Sequence, residues 1–192
     1  MEAQTRRAER RWIVLTAFLV LTCEREPPPL PYSLNSGKEI VVFFIGAKAC
    51  GTCDTPELRA ALAAMRDTLS RRTAGGVKIV LVGVDLDWVL GDGLDYLRQF
   101  GTFDQETIGR NWLNTDAVRL VWRDSLALPA LPQVVVVEHD IGVGQRRVTV
   151  TPDYLLTRRV GAHRIANWVD SGAPLPALPT IPSTAAPGDH RD

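Results

Sequence analysis

Two of the three cysteines in this chain stand close together, as Cys50-Gly51-Thr52-Cys53. Two thiols at this spacing are compatible with a redox couple, with half of a metal site, or with two buried and inert side chains. The flanking sequence bears on the choice, because an apolar run, KEIVVFFI, precedes the pair and an Ala/Leu-rich amphipathic stretch follows it. A Cys-X-X-Cys between a strand and a helix favours the redox couple.

The amphipathic stretch after the pair predicts a helix. Its apolar residues recur at spacings of four, three and four, as one helical face requires: Leu58, Leu62, Met65 and Leu69. Pro56 suits the first turn, and Asp54 or Thr55 is available as the cap. We therefore expect Cys50 at the helix N-terminus, where unpaired backbone N–H groups and the helix dipole would lower the pKa of its thiol.

The neighbours of the pair support the same chemistry. Lys48, two residues upstream, would add positive charge near the attacking thiolate. Cys53, one turn further on, would be in reach to resolve a mixed disulfide. Gly51, followed by Thr52, would let the backbone of a substrate approach closely.

A metal site would need further ligands, since zinc usually takes four. Outside the pair the chain offers only Cys23 and the histidines His139, His163 and His190. Cys23 lies in the leader and His190 in the tail, so we predict no metal. Burial as an inert thiol is disfavoured for Cys50 because it lies at a strand-to-helix junction.

The composition is that of one globular domain with appendages. The chain has 192 residues, and its 22 basic and 22 acidic side chains cancel, which argues against nucleic acid as the main partner. Three cysteines are too few for a disulfide scaffold. Prolines cluster on both sides of a central region, which predicts a Pro-rich linker over 24–36, a folded domain over 37–172 and a disordered Pro-rich tail over 173–192.

The N-terminus has the pattern of an export signal. Four arginines precede the apolar stretch WIVLTAFLVLT, which is followed by Cys23. Residues 1–23 are therefore expected to be a signal peptide, a lipoprotein leader or a short anchor, with Cys23 a candidate for lipidation although Thr22 departs from the usual small residue before it. Each alternative places the domain outside the cytoplasm, in the periplasm or cell envelope, and a retained leader would tether it to the membrane.

The remaining elements follow from periodicity. A second buried strand is expected at 77–84, so that strand, helix and strand form a βαβ unit. Helices are expected at 93–100, at 114–122 and at the end of the domain, where Gly172 closes the last one. Further strands are expected after Pro132 and at 145–150, whereas 152–160 fits either a helix or a strand. The tryptophans at 88, 112, 122 and 168 are expected to pack.

Two segments resemble the thioredoxin superfamily. VVFFIGAKACGTC resembles its strand and Cys-X-X-Cys loop, and LPQVVVV resembles its cis-proline and the following core strand. The middle segment, 85–130, is similar to the extra helices of exported, membrane-tethered thiol–disulfide oxidoreductases of the TlpA type. The resemblance implies an α/β, thioredoxin-like three-layer fold with a central mixed β-sheet flanked by helices. It also implies that Cys50 attacks, that Cys53 resolves, and that Pro132 packs beside their redox-active disulfide, with no other cofactor.

The sequence departs from this family at three positions. Ala49 replaces the tryptophan before the first cysteine, and Phe44 occupies the place of the buried acid that relays a proton for the resolving cysteine. Pro56 stands where TlpA-type proteins commonly have glutamate, with Glu57 one residue further on. Proton transfer at Cys53 would then fall to Glu57 or to water.

We predict an exported thiol–disulfide oxidoreductase that exchanges its disulfide with protein thiols. The reducing direction is favoured, because Gly51-Thr52 has no histidine to stabilise a thiolate. Its partners would be protein thiol or disulfide substrates, a redox partner, and the membrane through the N-terminus. The alternative is a thioredoxin-fold binding or metal-delivery module without efficient redox turnover.

Overall fold

The computed structural model describes residues 35–73, 77–123, 129–144 and 147–176. In chain order the strands and helices are β1 (Gly37–Gly46), α1 (Pro56–Arg72), β2 (Lys78–Asp85), α2 (Leu90–Leu97), β3 (Gln105–Ile108), α3 (Thr115–Ala117), β4 (Gln133–Val143), β5 (Val148–Val150), β6 (Tyr154–Val160) and α4 (Ala162–Asp170). The arginine-rich leader, Cys23, the Gly75-Gly76 pair and the tail from 177 onward lie outside the described residues.

The strands form one mixed sheet in the order β3-β2-β1-β4-β5, with β6 also paired to β4. β1 is parallel to β2 and antiparallel to β4, so it is hydrogen-bonded on both sides. This arrangement agrees with the βαβ unit predicted from the sequence, in which α1 connects two parallel strands. The C-terminal ends of β1 and β2 and the beginning of β4 therefore meet at one edge of the sheet.

The side chains of β1 alternate between two hydrophobic cores. Ile40, Val42 and Phe44 pack in one cluster with the buried faces of α1 and α4. The alternate residues Val41, Phe43 and Ile45 pack in a second cluster, with side chains of α3 and of the π-helix Val118–Trp122 that continues it. The predicted central mixed sheet flanked by helices is thereby confirmed, and β1 is the doubly buried strand that its continuous apolar run indicates.

α1 shows the face that the periodicity predicts. Leu58, Leu62, Met65 and Leu69 are all buried. Of the two candidate caps, the structure selects Thr55, whose hydroxyl accepts a hydrogen bond from the Leu58 N–H at 3.2 Å.

Several elements differ from their predicted bounds. The first helix after β2 begins at Leu90 rather than 93 and ends in a 3₁₀ turn at Arg98–Phe100. The 114–122 segment is helical, with Asn114 as its cap, but most of it is a π-helix. The undecided 152–160 segment is mainly the strand β6, and β3 was not predicted. β3 carries the polar sequence QETI and lies at the edge of the sheet, where burial imposes no apolar pattern.

The folded region extends slightly beyond the predicted boundary at 172. Gly172 does follow the last helix and has a positive φ of 85°. Ala173 is fully buried, and the Trp168 indole N–H donates to the Pro174 carbonyl at 3.0 Å. The first residues of the expected Pro-rich tail therefore pack on the domain.

The Thr55 cap gives a prediction about stability. Thr55→Ala leaves the Leu58 N–H without its side-chain acceptor and should lower the free energy of unfolding by about 1 kcal/mol. Thr55→Ser keeps the hydroxyl and is the matched control, expected to remain near wild type. Denaturant unfolding of the full chain measures both, and equal stabilities for Thr55→Ala and wild type would contradict the assignment.

Candidate redox site

The two cysteines form a disulfide bond, Cys50–Cys53, with 5.3 Å between their Cα atoms. The loop closes on itself through a hydrogen bond from the Cys53 N–H to the Cys50 carbonyl at 3.0 Å. Cys53 is fully buried beside Phe44 and Leu58, whereas Cys50 is partly exposed and lies between exposed residues. An incoming thiol therefore has access to Cys50 and none to Cys53.

The predicted place of Cys50 at the helix N-terminus is wrong. α1 begins at Pro56, and the cysteines lie in the turn that precedes it. Proline disfavours helical backbone in the residue before it, and Thr55 accordingly is extended, with φ −113° and ψ 150°. Since the helix dipole acts mainly within the first turn, α1 does not stabilise a negative charge at Cys50 in the predicted way.

The polar group beside the Cys50 sulfur is instead a hydroxyl. Thr52 Oγ1 lies 3.6 Å from Cys50 Sγ. Because a hydroxyl can donate a hydrogen bond, it would stabilise a thiolate at this sulfur once the disulfide opens. Thr52 thus takes a specific part in the site that the sequence alone did not assign to it.

Lys48 ties the cysteine loop to the segment after β2. Its amine pairs with Asp92 at 2.7 Å, and its backbone N–H donates to the Asp87 carboxylate at 2.6 Å. The hydrogen bond to Asp92 raises the pKa of the Lys48 amine. The charge predicted to act on Cys50 is therefore engaged in an ion pair, and Lys48 has a structural part in holding the loop.

Between these two aspartates lies an exposed apolar run, Trp88-Val89-Leu90. Trp88 is 70% exposed and Leu90 is 64% exposed. The expectation that the tryptophans pack is thus wrong for Trp88. Trp112 and Trp122 pack edge to face on each other, and Trp168 is buried. An apolar surface consequently lies next to the loop that carries Cys50.

Tyr96 of α2 fixes the other side of the loop. Its hydroxyl donates to the Cys53 carbonyl at 2.8 Å, and both residues are buried. A Cβ atom added at Gly46 would lie only 2.4 Å from the same hydroxyl, so the absence of a side chain at the end of β1 makes room for Tyr96. Burial raises the Tyr96 pKa, and the phenol stays protonated as a donor.

Pro132 lies at the same edge of the sheet as the cysteine loop. The Leu131–Pro132 peptide bond is cis, and Gln133, the first residue of β4, pairs with Ile45 near the end of β1. Leu131 and Cys50 both pack against the same two hydrophobic clusters. The structure therefore brings the predicted site residues Cys50, Cys53 and Pro132 to one edge.

Glu57 does not join this group as a buried acid. It is exposed in the first turn of α1. Asp54, the other nearby carboxylate, is bonded to Arg59 through both oxygens, and this lowers the Asp54 pKa. Neither acid is in the buried environment of Cys53.

A buried acid is nevertheless present, and sequence reasoning missed it. Asp85, the last residue of β2, is fully buried. Its Oδ1 accepts a hydrogen bond from the Asp87 N–H at 2.9 Å, while its Oδ2 has no hydrogen-bond partner within the described part of the chain. Burial raises the pKa of Asp85 to about 7. In the sequence, an aspartate at the end of an apolar strand looks like the first residue of an exposed loop. Its burial becomes evident only from the strand register, which pairs it with Gly46.

Within the described ranges, the structure contains no group of three or more His, Cys, Asp or Glu residues that could hold a metal ion. A search of the same residues finds no helix with the length and hydropathy of a membrane span.

Comparison of the chain with protein-family models, curated proteins and solved structures finds no significant match. The functional interpretation therefore depends on the geometry of the site.

The ionisation of Asp85 gives a prediction about stability. As the pH rises from about 4 to about 7, the unfolded chain loses the Asp85 proton while the folded protein retains it, so the free energy of unfolding falls. We expect this group to account for a loss of roughly 2–4 kcal/mol over that range.

Asp85→Asn should remove that part of the pH dependence, as measured by denaturant unfolding of the full chain at both ends of the range. Asp95→Asn, at an exposed position of α2, is the control and should keep the wild-type dependence. A wild-type pH profile in Asp85→Asn would show that Asp85 titrates normally.

Proposed function

We propose that this protein is a thiol–disulfide oxidoreductase of thioredoxin-like fold that exchanges the Cys50–Cys53 disulfide with protein thiols. The observation that carries the proposal is the asymmetry of the pair, in which a partly exposed Cys50 is bonded to a fully buried Cys53. Such a pair has one sulfur for the substrate and one that reacts only within the protein. The mixed sheet with helices on both faces, and the position of Pro132 at the same end of the sheet as the cysteine loop, support it.

Protein substrates are favoured by the surface around Cys50. The exposed Trp88-Val89-Leu90 run lies on the segment tied to the cysteine loop through Lys48. An exposed apolar run of this kind suits contact with unfolded or extended polypeptide. In the reducing direction, Cys50 attacks the substrate disulfide, and Cys53 then releases the substrate as a dithiol. The reduced pair would be regenerated by a second redox partner.

The location is also a proposal, and it rests on the sequence of residues 1–23. The arginine-rich leader would export the domain to the periplasm or cell envelope, and Cys23, if lipidated, would tether it there. Protein disulfides form and persist in an oxidising compartment, so substrates for thiol–disulfide exchange would be present there.

A binding or metal-delivery module is the competing candidate, and one observation favours it. Because α1 begins at Pro56, Cys50 lacks the helix N-terminus that would activate its thiolate. Insulin reduction with dithiothreitol as electron donor, measured on the full chain, separates the two candidates. Turbidity that develops faster than with dithiothreitol alone supports the oxidoreductase. Turbidity that develops at the same rate as without the protein supports the binding module.

The two cysteines should behave differently when substituted. Cys53→Ser removes the resolving thiol and should accumulate mixed disulfides between Cys50 and substrate proteins, while insulin reduction is abolished. Cys50→Ser should be equally inactive and should trap almost nothing, because Cys53 is fully buried. Non-reducing electrophoresis measures the trapped species. Trapping through Cys50→Ser instead would contradict the proposed order of attack.

Export is tested separately. Residues 1–36 fused to a reporter that is active only outside the cytoplasm should give activity, whereas a fusion that begins at residue 37 should give none. Cys23→Ser should release the protein from membranes if this cysteine carries lipid. A silent fusion of residues 1–36 would refute export without affecting the exchange chemistry.

A further inference from the structure

The buried carboxyl of Asp85 lies on the same side of the sheet as the cysteine loop. In the parallel pairing of β1 with β2, Asp85 is directly opposite Gly46. Phe44 and Gly46 are two residues apart on β1 and share a face, because side chains alternate along a strand. Phe44 packs in the cluster that contains Cys53, so Asp85 is directed to the face on which Cys53 is buried.

Tyr96 connects the two groups. Its hydroxyl lies over Gly46, the register partner of Asp85, and donates to the Cys53 carbonyl at 2.8 Å. The Asp85 charge also contributes to the raised Tyr96 pKa. The carboxyl and the resolving cysteine therefore flank one tyrosine in a buried region.

Helix α2 packs closely against the Asp85 side chain. A Cβ atom at Gly93 would lie 2.1 Å from Asp85 Oδ1, so α2 approaches this side chain closely enough to exclude any residue but glycine there. The charged groups that act on Asp85 are Asp87, in the loop after β2, and Asp92 of α2, and both oppose its ionisation. Of these, Asp92 is paired with Lys48.

We propose that Asp85 is the proton acceptor and donor for Cys53 in the exchange reaction, supplied by β2 beside the strand that leads into the cysteine loop. The inference rests on the proposed function. It fills the role for which the sequence offers only Phe44 on β1 and the exposed Glu57.

The step balances as follows. In the mixed disulfide, the Cys53 thiol gives its proton to the Asp85 carboxylate, and the Cys53 thiolate attacks Cys50 Sγ. The bond between Cys50 and the substrate sulfur breaks, and its electron pair leaves on the substrate thiolate, which takes a proton from solvent. The two protein thiols are oxidised to the disulfide, and the substrate disulfide is reduced to two thiols. In the reverse direction protonated Asp85 returns the proton to Cys53.

A base for this step must be partly ionised near neutral pH. It must also be inside the protein, because solvent does not reach the Cys53 thiol. General bases work best with a pKa near the working pH, and burial brings the Asp85 pKa to about 7. Burial also raises the pKa of a thiol, so Cys53 needs such a base more than the exposed Cys50 does.

The test uses the full chain with Cys23→Ser in every protein compared, so that Cys50 and Cys53 are its two thiols after reduction, and 5,5′-dithiobis(2-nitrobenzoate) in stopped flow. The first equivalent of coloured thiol reports attack by Cys50, and the second reports resolution by Cys53. In Asp85→Asn the first phase should be unchanged, whereas the second should slow about tenfold or more near pH 7. In wild type, the rate of the second phase should show an inflection near pH 7. In Asp85→Asn this inflection should disappear, so that the rate follows the ionisation of the thiol alone. Asp95→Asn is the matched control for loss of one carboxylate and should keep both phases.

An unchanged or faster second phase in Asp85→Asn overturns the inference. An unchanged first phase shows that the variant is folded around Cys50, so a slow second phase is not a folding defect. Failure of the proposed function has a different signature, since wild type would then show both phases with the chromogenic disulfide and no catalysis of insulin reduction.

Discussion

The pairing of β1 with β2 on one side and β4 on the other is the constraint on which the site depends. Because β2 is parallel and β4 antiparallel to β1, Asp85 at the end of β2 is opposite Gly46, and Gln133, which follows Pro132, is opposite Ile45. A shift of one residue would move the alternating side chains of β1 into the wrong core, so hydrophobic packing fixes this register. The register of these three strands thereby brings the cysteine loop, the buried acid and Pro132 to the same end of the sheet.

The same constraint explains the glycines and the tyrosine at this edge. Gly46 leaves room for the Tyr96 hydroxyl, and Gly93 leaves room for the Asp85 carboxyl. α2 is thereby held against the ends of β1 and β2, where Tyr96 bonds to the Cys53 carbonyl. A carboxyl buried here destabilises the fold whenever it is ionised, and an apolar residue of similar size would be better tolerated. Perturbed acids of this kind are concentrated at functional sites, which gives a chemical reason for its presence.

Much of the fold could be predicted, because β1, β2 and β4 are apolar runs and α1 has a regular buried face. The start of α1 was predictable in principle, since Pro56 forces Thr55 into extended backbone and excludes the cysteines from the helix. Asp85 could not be found in the same way, because its burial depends on pairing with Gly46, and β3 is too short and polar to have a recognisable pattern.

The position of α1 changes the physical origin of the difference between the cysteines. With the helix end away from Cys50, the asymmetry comes from burial. Cys53 is fully buried in the cluster that contains Phe44 and Leu58, while Cys50 is partly exposed beside the Thr52 hydroxyl. A helix dipole would stabilise a thiolate at Cys50, whereas burial in apolar surroundings disfavours a thiolate at Cys53. In the exchange reaction proposed above, release of the Cys53 proton would then be the difficult step, and the buried Asp85 carboxyl on the same face of the sheet would accept it.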